Sequence, residues 1–184
     1  MPTSPRQGPQ RDRQAGAENA RPPPPRPSEG GLPAPGRSAE VKPIDELRVV
    51  TVPSASALPE KVALEIQKAL GGGAHPSDIA VLSLAGQTRT KLGVAPRIGS
   101  YAVVRADDAK ADERVVADTF LRFKGLERPW IIVTELALGK TRYDVRMHVA
   151  LTRATVGCVV LATREEIEAD PRLKAQLAPS RQGA

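Results

Sequence analysis

The sequence predicts an α/β fold built on a largely parallel sheet, and three observations carry that prediction. Short apolar runs of strand length alternate along the chain with segments of helical period. The run Ile79-Ala80-Val81-Leu82-Ser83-Leu84 is apolar almost throughout instead of alternating, as a strand covered on both faces would be. Gly, Pro and Asp residues punctuate the boundaries between the runs.

The elements follow in order. Residues 1–43 contain eleven of the 18 prolines, Pro22 to Pro25 among them in a row, with scattered arginines and few aliphatic side chains. So little apolar surface cannot offset the entropy of ordering a backbone, so this segment is expected to be a disordered, locally polyproline-like tail. Residues 44–178 are the stretch able to bury a core, and 179–184 are expected to be a disordered C-terminus. Within the domain, Arg48 to Val52 is rich in β-branched residues and reads as a strand. Leu58 to Leu70 sets Leu58, Val62, Ile66 and Ala69 on one helical face, with Pro59 in the first turn and Gly71-Gly72-Gly73 as the stop. After Ile79–Leu84, further strands are predicted at Tyr101–Val104, Val115–Thr119, Trp130–Thr134 and Cys158–Ala162. Helices are predicted over Asp144–Ala154 and Glu165–Leu177, the latter with Glu165 and Glu166 in its first turn, where they complement the helix dipole.

Composition bounds the class. The net charge of +6 gives a mild attraction for polyanions, which a basic tail alone would also produce. The single cysteine, Cys158, cannot form an internal disulfide, which points to a reducing compartment. No apolar run has the length of a signal core or a membrane span, so a cytoplasmic protein without a membrane partner is expected. No metal-ligand spacing occurs: His75 lies in a Gly/Pro-rich loop, and His148 has no second histidine or cysteine near it in sequence.

Two segments carry residue types that packing alone does not call for. The first runs from Asp118-Thr119-Phe120-Leu121-Arg122-Phe123-Lys124-Gly125-Leu126-Glu127 into the strand at Trp130. A Lys-Gly-x-Glu turn at the carboxyl end of a strand lies where open α/β sheets bind ligands. Gly125 permits close backbone approach, Lys124 can meet a phosphate, and Glu127 can accept from sugar hydroxyls. The second is Val149-Ala150-Leu151-Thr152-Arg153-Ala154, where Arg153 ends a helical segment as a fixed guanidinium fork suited to charge on a transferring phosphoryl group. Each has a bland counterpart: Thr119 as an ordinary strand residue, Arg153 as one half of a surface ion pair.

Phe123-Lys124-Gly125-Leu126-Glu127 followed by an apolar strand resembles motif V of UvrD-like superfamily 1 DNA helicases, and Val149 to Ala154 resembles their motif VI. Asp78 to Ser83 is similar to the strand after their motif IV region, so the likeness spans roughly 48–164. The resemblance implies the C-terminal, second RecA-like domain of such a helicase: a RecA-like, largely parallel sheet flanked by helices. It implies that Arg153 is the catalytic arginine finger, and that Lys124, Gly125, Glu127 and Arg153 contact ATP. It further implies that Thr119 and Arg122 lie against single-stranded DNA. Two positions depart from the pattern. Leu121 stands where many relatives have a histidine, and His148 where many have a tyrosine.

The resemblance is also incomplete. No Gly-x-x-x-x-Gly-Lys-Ser/Thr occurs, Gly71-Gly72-Gly73-Ala74 lacks the phosphate-binding lysine, and Asp112-Glu113 follows a polar loop, as a solvated turn would, and not the apolar strand of a Walker B. ATP and Mg2+ would therefore need a separate Walker A domain or subunit, and the chain is expected to be a split or truncated helicase half, not competent alone. The competing readings are a non-catalytic nucleic-acid or protein interaction module on a helicase fold, and an inactive degenerate product.

Overall fold

The structure, a computed structural model, describes residues 47–177. The tail expected over 1–43 and the C-terminus expected over 179–184 lie outside the described residues. Seven strands form one sheet: β1 (Arg48–Val52), β2 (Ile79–Ser83), β3 (Arg97–Ile98), β4 (Tyr101–Val104), β5 (Val115–Thr119), β6 (Arg128–Thr134) and β7 (Ala154–Thr163). Their spatial order is β1-β7-β6-β2-β5-β4-β3. Every neighbouring pair is parallel except the β3–β4 edge hairpin. Four helices accompany them: α1 (Leu58–Gly71), α2 (Tyr143–Leu151), α3 (Arg164–Ala169) and α4 (Pro171–Leu177).

The continuous apolar runs are explained by two separate cores. Along β2, Ile79 and Val81 join Leu58, Val62, Ile66 and Ala69 of α1, whereas Ala80 and Leu82 join Met147 and Ala150 of α2, Ile167 of α3 and Leu173 of α4. The same parity holds on β7, where Val159 and Leu161 face α1 while Cys158, Val160 and Ala162 face α2. Side chains alternate across a strand, so a strand with helices on both faces must be apolar at every position. This parallel sheet, flanked by helices on both sides, is a RecA-like α/β fold. None of the described helices is long and apolar enough to cross a membrane.

Three local features differ from the sequence reading. β3 was not predicted; two residues are too short for any periodicity to register, and it is the one antiparallel strand. α2 ends at Leu151 and Ala154 already belongs to β7, because the strand extends well before its apolar run. The terminal helix is two helices. Pro171 disfavours helical backbone at Asp170, which sits at φ −113° and ψ 106°. Asp170 then caps α4, its carboxylate accepting from the Arg172 N–H at 3.0 Å.

Candidate functional site

The connection Phe120–Glu127 leaves the carboxyl end of β5 and enters the amino end of β6, and both strands run parallel to β2 between them. It must therefore travel from one edge of the sheet to the other. Phe123, fully buried among the side chains of the α2-side core, anchors it partway. Glu127 consequently lies away from the carboxyl edge, where the sequence suggested the Lys-Gly-x-Glu turn. Glu127 abuts the amino end of β6, where Gly125 makes the turn at φ +90°.

Arg153 reaches the same place from the other segment. It follows α2 and precedes β7, whose first residue Ala154 lies opposite Arg128 in the ladder. The Arg128 N–H donates to the Arg153 carbonyl at 3.0 Å, which ties the two segments together. Arg153 Nη1 lies 3.9 Å from Glu127 Oε1. Its Nε donates to the Val149 carbonyl at 3.2 Å and its Nη2 to Thr152 Oγ1 at 3.2 Å. The guanidinium thus covers carbonyls at the end of α2, where the helix dipole is negative, and extends one nitrogen toward an exposed carboxylate. Lys124 and Gly125 are exposed on the turn before Glu127.

At the carboxyl edge the arrangement is different. Thr119 is 2 % exposed, and in register it stands beside Ser83, which stands beside Thr134, so three hydroxyl residues line up across β5, β2 and β6. The Thr134 hydroxyl is buried without a partner among the described residues. Asp118, fully buried, accepts from the N–H groups of Thr119 and Ala106 and from Arg122 Nε at 3.2 Å. Arg122 also binds Asp107, and that hydrogen bond holds the Asp107 carboxyl below its ordinary pKa. Arg122 is therefore engaged by two carboxylates, and the Thr119 side chain is inside the molecule. Asp118 was not singled out by the sequence reading, although a charged residue closing the apolar run Val115-Val116-Ala117 was the available signal.

The remaining candidates are quiet. Burial pushes the Cys158 thiol up to about 12, which leaves it a core side chain with no thiolate character near neutrality. Asp112 is solvated and pairs with Arg128 at 3.3 Å. Among the described residues, no three His, Cys, Asp or Glu side chains are grouped to hold a metal ion. The described residues offer a guanidinium, a carboxylate and an exposed lysine, and among them no phosphate cradle and no group of magnesium ligands.

No protein-family model matches the chain, and no curated protein matches it.

Proposed function

We propose that the chain serves as the second RecA-like domain of a UvrD-like DNA helicase and contributes half of a nucleotide site. The observation that carries this reading is the meeting of Glu127 and Arg153, from segments well separated in sequence, with side chains 3.9 Å apart at the adjoining amino ends of β6 and β7. A nucleotide held by a separate Walker A domain would meet both. Glu127 accepts from its ribose hydroxyls, and Arg153 exchanges the Val149 carbonyl for a γ-phosphate oxygen, a stronger, charge-assisted partner. Lys124 and the open backbone at Gly125 stand beside the phosphates. ATP would supply the phosphoryl group, with its Mg2+ held by ligands of the separate Walker A domain.

The nucleic-acid role belongs to the carboxyl edge. Arg122 reaches a phosphate by giving up Asp107, its exposed partner, while keeping Asp118, and the buried Thr119 only holds the end of β5 beside it. Charge-assisted exchange of this kind weakens with salt.

The test is reconstitution. Mixed with the Walker A-bearing first domain of a UvrD-like helicase, the wild-type chain is expected to restore DNA-stimulated ATP hydrolysis. Arg153→Ala is expected to lower the restored rate by about a thousandfold or more, the range an arginine finger supplies. Restoration that is indifferent to Arg153→Ala, or no restoration by a chain that binds the first domain, overturns the proposal.

A further inference from the structure

A groove of about 340 Å³ lies between α2 and the start of the β5–β6 connection, lined by Phe120, Leu121, Lys124, Arg142, Val145 and Arg146, with Thr141 and Val149 completing it. No carboxylate lines it. Lys124, Arg142 and Arg146 form no ion pair among the described residues. Two aliphatic side chains form its lips: Leu121 is 65 % exposed and Val145 55 % exposed, the two most exposed large apolar residues described. Water against a contiguous apolar patch is unfavourable, and three unpaired cations around it favour an anionic partner.

We infer that this groove docks an acidic protein segment carrying aliphatic side chains, which enter between Leu121 and Val145 while its carboxylates meet Lys124, Arg142 and Arg146. Two features favour a peptide over single-stranded nucleic acid. Phe120, half-buried and with the Arg146 guanidinium 5.5 Å from its ring, is the groove's only aromatic residue, so the groove offers no row of exposed rings on which successive bases could stack. Arg146 is further fixed by donating from Nη1 to the Leu84 carbonyl at 3.1 Å, which makes it part of the groove wall. The lips, being aliphatic, match leucine or isoleucine side chains presented at helical spacing. The chain's own N-terminal segment is arginine-rich and has the wrong charge to be the occupant. The inference shares Lys124 with the nucleotide reading, but it rests on Leu121, Arg142, Val145 and Arg146, and neither Glu127 nor Arg153 lines the groove.

Fluorescence anisotropy on the full chain tests it with two labelled probes: a Glu-rich peptide with leucines at helical spacing, and an oligothymidine. The wild-type chain is expected to bind the peptide, and a leucine-free Glu-rich peptide at least about tenfold more weakly. The exposed-site variants Leu121→Ser/Val145→Ser and Arg142→Glu are each expected to lose about tenfold in affinity for the leucine-bearing peptide, with Arg153→Ala unchanged. Unfolding midpoints equal to wild type would show that the variants are folded. Equal binding of both peptides, no effect of Leu121→Ser/Val145→Ser, or displacement of the peptide by oligothymidine would overturn the inference, the last by making the groove a nucleic-acid surface.

Discussion

Gly125 has φ +90° with nothing within 4 Å of the place a Cβ would occupy, so a side chain there meets backbone strain and no clash. Gly125→Ala is expected to destabilise the domain by about 1–2 kcal/mol, the cost of left-handed backbone for an L-residue, read as a lower denaturant midpoint at unchanged slope. Asp170 offers a pH-dependent counterpart. Burial alone would raise its pKa, but hydrogen bonds from the Arg172 side chain and backbone outweigh that and hold the carboxyl below its ordinary value. A depressed folded-state pKa contributes stability above the unfolded value of roughly 4, lost as pH falls through the folded one. Asp170→Asn keeps the cap and removes the charge. It is expected to cost about 1 kcal/mol at neutral pH, a modest figure because Arg172 is 60 % exposed, and the deficit should shrink in acid unfolding curves as pH falls through the depressed folded-state pKa.

At the scale of elements, α3 depends on its first turn. Thr163 Oγ1 accepts from the Glu166 N–H at 3.2 Å while the Glu166 carboxylate accepts from the Thr163 N–H at 2.8 Å, a reciprocal cap on a helix of six residues. Thr163→Ala is expected to cost about 1 kcal/mol, measurable by thermal melt. The Thr-x-x-Glu spacing is visible in the sequence, as are the strands, because burial on two faces leaves a mark at every position from Ile79 to Leu82 and from Cys158 to Ala162. Boundaries were less legible. Nothing in Thr152-Arg153-Ala154 announces that the helix stops and a strand starts. The division at Asp170 was written in Pro171 but outweighed by the apolar spacing on either side. For the proposed site, residue types singled out Lys124, Glu127 and Arg153 as candidates, but not that Glu127 and Arg153 meet at the amino ends of β6 and β7. That depends on β2 lying between β5 and β6, a fact of strand order. The groove was illegible for the same reason, since Arg142, Val145 and Arg146 meet Phe120, Leu121 and Lys124 only once α2 packs beside the connection.

In the whole molecule, strand order separates two sets of groups. Glu127 and Arg153 gather at the amino ends of β6 and β7, while the hydroxyl row and the Asp118 carboxylate with Arg122 occupy the carboxyl edge. Under the proposed function, this division would offer nucleotide and nucleic acid different edges of one sheet. If the proposed function holds, Glu127 and Arg153 face one shared nucleotide. Steady-state ATP hydrolysis by the chain reconstituted with a Walker A domain tests this most directly, using Glu127→Gln and Arg153→Ala side by side. Glu127→Gln should raise KM for ATP with kcat nearly kept, and Arg153→Ala should lower kcat by about a thousandfold with a smaller effect on KM. Wild-type kcat and KM in both variants would contradict it.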